Sequence, residues 1–122
     1  MKKLPDSEFE IMKVVWAHDP PITTEIIMEN LGNEKKWKKQ TAFTLLNRLV
    51  ERKFLNTEKQ GKERLYFPLV NKEDYLKFET EKFMEQFHDN SFTSLVATLY
   101  GGQKLSNTDI AELEKLLKEM RD

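Results

Sequence analysis

The chain contains no cysteine. That absence removes disulfide scaffolds, cysteine-ligated zinc, iron–sulfur clusters and thiol catalysis together, and fits a reducing compartment, so the cytoplasm is the expected location. Histidine is nearly absent too: His18 and His88 are the only two, with no third ligand in helical register, so no metal site and no cofactor are expected. There is no glycine-rich phosphate loop, nucleophile elbow or HExxH motif. Carboxylates are plentiful but spread through charged stretches, so no pair stands out as acid and base, and an enzyme is not expected. No apolar run approaches membrane-spanning length. The opening Met1-Lys2-Lys3-Leu4-Pro5-Asp6 has no apolar core of signal-peptide length. Internal repeats and low-complexity tracts are lacking as well.

What is present is an uneven distribution of charge. The whole chain carries a formal net charge of −1, yet residues 34–64 hold ten Lys or Arg against four Glu. That window is +6 and everything outside it −7. A basic segment embedded in an acidic chain is suited to a polyanion, although a charge run alone also fits a merely solvated face.

The window contains an amphipathic helix. Ala42, Leu45, Leu46, Leu49 and Val50 recur at spacings of three and four and predict one buried face. Gln40, Thr44, Asn47 and Glu51 lie opposite, with Thr41, Phe43 and Arg48 on the borders and Lys38, Lys39, Arg52 and Lys53 at the ends. Before it, Ser7 and Glu10 have the form of a capping box for a first helix with Phe9, Met12, Val15 and Trp16 on its apolar stripe, ending near Ala17. Pro20-Pro21 breaks that helix. Thr23 then caps a short second helix with Ile26, Ile27 and Leu31 inward and Gly32 as its stop. Two helices joined by a short link, the second amphipathic and basic, form a helix-turn-helix pattern.

Beyond Lys53 the period changes to that of strands. Residues 54–58 and 63–69 flank Lys59-Gln60-Gly61-Lys62, where Gly61 can supply the positive φ of a tight hairpin turn. The expected fold is therefore mainly α with a small β-hairpin wing: a winged helix-turn-helix over residues 1–70, followed by a helical dimerisation domain over 71–122. In the latter, Tyr75, Phe78, Phe83 and Phe87 mark one helix. Leu95, Val96 and Leu99 mark a second, which ends at Gly101-Gly102. Ser106 and Asp109 cap a third, with Ile110, Leu113, Leu116 and Leu117 as its stripe. Some fifty residues cannot enclose so many apolar side chains, so Phe83, Phe87, Leu95, Val96, Leu99, Ile110, Leu113 and Leu117 are candidates for a homodimer seam. Packing on the N-terminal domain is the competing reading.

If the basic-tipped helix enters the major groove, Gln40 suits adenine, and Thr41 and Thr44 suit bases or phosphates. Phe43 either packs on a thymine methyl or sits at the core margin. Lys38 and Lys39 crowd the helix start, and Lys39, Arg48, Lys62 and Arg64 are assigned to phosphates. The wing cations also fit a charged turn tip that keeps a sheet edge soluble.

Four segments, in order, resemble the penicillinase repressor (BlaI/MecI) family. They are Glu8-Phe9-Glu10-Ile11-Met12-Lys13-Val14-Val15-Trp16, Thr41-Ala42-Phe43-Thr44-Leu45-Leu46-Asn47-Arg48-Leu49, the wing from Gly61 to Pro68, and Phe92 to Val96 with the later Leu105-Ser106. The resemblance implies a dimeric winged-helix repressor of palindromic operators, commonly with TACA and TGTA half-sites, ahead of a β-lactamase or other resistance gene. It also implies a membrane sensor that detects β-lactam and triggers cleavage in the C-terminal region. The family's cleaved Asn-Phe bond has Thr98-Leu99 as its counterpart here. A copper-responsive branch carries a C-terminal cysteine cluster that this chain lacks. The family often has Ser-Pro where Lys38-Lys39 stands and Arg or Gln where Phe43 stands, which predicts a changed operator preference. The alternatives are a family member answering a different signal, and a winged helix used only for protein interaction.

Overall fold

The computed structural model describes all residues, Met1 to Asp122. Its elements are α1 (Asp6–Ala17), α2 (Thr24–Ile27), a π-helical turn (Met28–Gly32), α3 (Asn33–Lys35), α4 (Lys39–Glu51), β1 (Leu55–Gln60), β2 (Glu63–Pro68), α5 (Lys72–His88), α6 (Phe92–Gly101) and α7 (Asn107–Arg121). The chain divides into two compact units, Met1–Phe78 and Glu79–Asp122, with α5 supplying residues to both.

In the first unit the core gathers the predicted apolar faces. Ile11, Met12 and Val15 of α1, Ile27, Leu31, and Ala42, Leu45, Leu46 and Leu49 of α4 are all buried. Each of these side chains other than Ala42 contributes roughly 1.5–3 kcal/mol on leaving water. The Pro20-Pro21 break leads into Ile22, which exchanges two backbone hydrogen bonds with Tyr66 of β2, at 2.9 and 2.8 Å. The interhelical link is thereby stitched to the hairpin. β1 and β2 pair antiparallel in the register Leu55↔Pro68 to Gln60↔Glu63, leaving Gly61-Lys62 as a two-residue loop. Gly61 has φ +64°, as a primed hairpin turn requires at its first central position.

Two local expectations fail. Helix α1 starts two residues early, at Asp6 behind the N-cap Pro5, without a side-chain cap, so the Ser7–Glu10 capping box does not form. Nor does Gly32 stop the second helix: it lies in the right-handed helical region, and the chain passes through the π turn into α3 before Lys36 turns it off at φ +56°. A methyl group added at Gly32 would lie 3.1 Å from Met28 Cε, so glycine here makes room for a neighbour instead of ending a helix.

Tyr75 and Phe78, which sequence periodicity groups with the C-terminal helices, pack into the first unit. Tyr75 is fully buried, ringed by Phe9, Trp16, Phe54 and Phe78 at centroid distances of 5.5–6.2 Å. Its hydroxyl accepts a 2.8 Å hydrogen bond from the Leu4 backbone N–H. Trp16 Nε1 donates to the Val70 carbonyl at 2.9 Å.

The second unit is built differently. Ser106 and Asp109 form the expected capping box on α7, and the two hydrogen bonds from Ser106, backbone first, hold the Asp109 carboxyl below its usual range. Ser91 caps α6 through a 3.1 Å bond from the Ser94 N–H. Yet no apolar side chain of this unit is buried; its one buried residue is His88, whose Nδ1 lies 2.8 Å from Ser94 Oγ.

Candidate nucleic-acid interface

Helix α4 shows the division its sequence predicts. Lys39, Gln40, Thr41, Phe43, Thr44, Asn47, Arg48 and Glu51 are exposed, while the opposite face is core. Lys38 is the N-cap residue in an extended conformation and is exposed as well. No side chain caps this N-terminus, and its first turn holds no acidic residue. The helix therefore presents unsatisfied N–H groups and the positive end of its dipole together with two lysines. Thr44 Oγ1 donates to the Gln40 carbonyl at 3.0 Å, which ties up its proton and leaves its lone pairs to accept from a base amino group.

The hairpin stands beside this helix start. Between them lies an open cleft of about 610 Å³ lined by Thr24, Glu25, Lys39, Phe43, Lys59, Lys62, Glu63 and Arg64. Four of the eight are cations. Register places Lys59 directly across from Arg64, a like-charged cross-strand pair that is unfavourable unless an anion lies between or beside the two. The chain's two salt bridges are Lys13–Glu10 and Arg52–Glu8, so the cleft's cations have no carboxylate partner. Four cations against the two carboxylates Glu25 and Glu63, beside an uncapped helix start, give the cleft a chemistry suited to phosphate.

Of the residues singled out from sequence, Lys39, Phe43, Lys62 and Arg64 meet in this cleft, whereas Lys38, Gln40, Thr41, Thr44 and Arg48 lie exposed outside its lining. Phe43, left between two readings by the sequence, is 38% exposed and does not belong to the core cluster. Lys59 was passed over as a site residue. Counting back from the Gly61-Lys62 turn would have found it, because that register sets it opposite Arg64. Tyr66, on β2 of the wing, is fully buried with no hydrogen-bond partner for its hydroxyl. Burial pushes its pKa up, and Arg64 offsets part of the rise.

The second unit carries the candidate seam. Phe92, Leu95, Val96, Leu99, Leu105, Leu113 and Leu116 line an open groove of about 470 Å³ between α6 and α7, bordered by Asp109 and Glu112. Ile110 is half-buried and Leu117 exposed. Phe83 and Phe87 on α5 are exposed with ring centroids 5.2 Å apart. Thr98 and Leu99 are exposed residues inside α6, with Thr98 Oγ1 donating to the Ser94 carbonyl at 2.9 Å. No group of histidines and carboxylates is arranged to hold a metal ion, and no helix is long and apolar enough to cross a membrane.

The family model described as penicillinase repressor matches residues 4–119. The penicillinase repressor of Bacillus licheniformis is 34% identical over 125 residues, an alignment covering 100% of this chain and 97% of that protein. The methicillin resistance regulatory protein MecI of Staphylococcus aureus (strain N315) is 30% identical over 118 residues, covering 96% and 94%. Among solved structures, the Bacillus licheniformis BlaI monomer in complex with the blaP half-operator is 34% identical with a TM-score of 0.51, covering 61% of this chain and 89% of that one. On sequence over nearly its whole length and on the winged-helix fold of its first unit, the chain belongs to the penicillinase repressor family.

Proposed function

We propose that this chain is a dimeric repressor that reads palindromic operator DNA, controlling a β-lactamase or other resistance gene from the cytoplasm. The observation that carries the reading is the cleft between the start of α4 and the wing, where Lys39, Lys59, Lys62 and Arg64 gather unpaired. BlaI bound to its half-operator supports it. The first unit is the DNA-binding domain. Gln40, Thr41 and Thr44 address base edges, while Lys38, Lys39, Arg48, Lys62 and Arg64 hold phosphates. Phe43, turned into the cleft and off the core, offers an apolar surface to a thymine methyl.

The second unit is the dimerisation domain. Its stripes expose Phe83, Phe87, Leu99 and Leu117 to solvent in a single chain, and a second copy is the partner whose matching stripes cover them. A two-fold pair also sets two copies of α4 about one DNA turn apart. Release by proteolysis at Thr98–Leu99, downstream of a membrane sensor, requires the last turns of α6 to open, since both residues are helical.

The test is binding of purified protein to a duplex carrying a TACA/TGTA palindrome and to a scrambled duplex of equal length, at two salt concentrations. Palindrome-dependent binding with two protomers per site is expected, log K falling by about 0.9 per neutralised phosphate for each tenfold rise in salt. Equal binding to both means that the operator differs. Binding to neither overturns the reading in favour of a protein-interaction module.

A further inference from the structure

The first unit buries one charged side chain, and it lies far from the cleft. Glu8, on the first turns of α1, is 1% exposed. Its Oε1 accepts a 2.7 Å hydrogen bond from Nε of Arg52, whose side chain is 37% exposed. This side chain–side chain hydrogen bond joins residues 44 positions apart in the sequence. Arg52 is the C-cap residue of α4. The bond therefore ties α1 to the end of the DNA-reading helix opposite the end that faces the wing.

Such a pair adds little net stability, because desolvating the carboxylate offsets much of the attraction. What it adds is direction. α1 and α4 also meet in the apolar core, where hydrophobic contact is non-directional, whereas a hydrogen bond depends on angle. On a helix whose side-chain tips stand about 5–6 Å from the axis, a rotation of about 20° moves those tips by about 2 Å. That is enough to break hydrogen bonds to base edges, while flexible lysines still reach phosphates.

From this geometry we infer that Glu8 is a positioning residue for sequence reading: its bond to Arg52 sets the rotational register of α4 in the major groove. The inference rests on the operator reading above and adds a residue that never touches DNA. Loss of the bond lowers discrimination between sequences and leaves phosphate-driven affinity in place.

The experiment uses the full chain and two variants. E8Q keeps the shape and removes the charge; E8M replaces the buried carboxylate with an apolar side chain of similar volume and leaves Arg52, whose side chain is 37% exposed, to water. The probes are the palindromic duplex that the wild-type protein enriches most from a randomised pool and a scrambled duplex of equal length, with thermal melts in parallel. Both variants are expected to lower the ratio of the two affinities by about tenfold. Affinity for the scrambled duplex and the salt slope should stay near wild type. If one variant fails to fold, the other decides, and R52K, which keeps the cation and loses the Nε donor, must show the same loss of ratio. An unchanged ratio in a folded variant overturns the positioning role, as does an equal loss on both duplexes. Failure of the wild-type protein to enrich any duplex overturns the operator reading itself, and the positioning role with it.

Discussion

Phe43 shows how one side chain gains a role from its surroundings. Sequence places it on the border of an amphipathic helix, where core and solvent readings are both open; the wing, folded beside it, makes that border the wall of a basic cleft. If it packs on a thymine methyl, replacing thymine by uracil across the operator should weaken wild-type binding by about 1 kcal/mol per buried methyl. Phe43→Ala should bind the two duplexes alike, and a persistent thymine preference in that variant would assign the methyl contact elsewhere. Tyr66 is the opposite case, a residue whose backbone does the work. Its N–H and carbonyl hold Ile22, while its buried hydroxyl has no partner. Tyr66→Phe should therefore leave the fold intact and raise stability by about 1 kcal/mol. The pH dependence has a definite sign. With the folded pKa raised above the ordinary value of about 10, stability is full below that value and falls as pH climbs toward the folded pKa. Alkaline melts of Tyr66→Phe should lose that slope.

Among the elements, those specified by local signals were legible. The three-to-four spacing gave α4, Gly61 gave the hairpin turn, and Ser106 with Asp109 gave the cap of α7. Helix ends were harder to place, because here the left-handed residue is not glycine. α4 closes with Lys53 at φ +68°, the Phe54 N–H bonding the Leu49 carbonyl at 2.9 Å and the Lys53 N–H bonding Val50 at 3.0 Å. That is a Schellman closure, with Phe54 and Leu49 both in the core. α6 closes the same way one residue past its two glycines, with Gln103 at φ +59° and the Lys104 N–H on the Leu99 carbonyl. A glycine search finds Gly101-Gly102 and stops short. Since glutamine is strained where glycine is not, Gln103→Gly should stabilise the protein by about 0.5–1 kcal/mol, read as a shift in the urea midpoint. No shift would mean that this turn relaxes in solution. The π turn over Met28–Gly32 was invisible for another reason: one extra residue in a turn leaves no mark on the three-to-four spacing of apolar side chains.

On the scale of the whole molecule, long-range packing was the least legible. Tyr75 binds Leu4 across 71 positions of sequence, so an aromatic that reads as the start of a C-terminal helix completes the N-terminal core. The excess of apolar side chains over enclosing mass in the last fifty residues was readable, and the second unit indeed buries none of them. Leu95→Glu, at the centre of that unit's groove, should give monomers by analytical ultracentrifugation and operator affinity reduced to that of a half-site. A dimer unchanged by this substitution would move the seam to α5, where Phe83 and Phe87 are exposed.

A unit without an interior of its own also ties gene control to copy number. When pairing supplies the missing core, the folding of α6 and α7 becomes a bimolecular event whose free energy depends on how much protein is present. Well below the dissociation midpoint, halving the number of chains cuts the number of pairs by about fourfold, by mass action. If two copies pair on these helices, a small fall in synthesis is amplified, and a promoter held shut by the pair opens more steeply than in proportion.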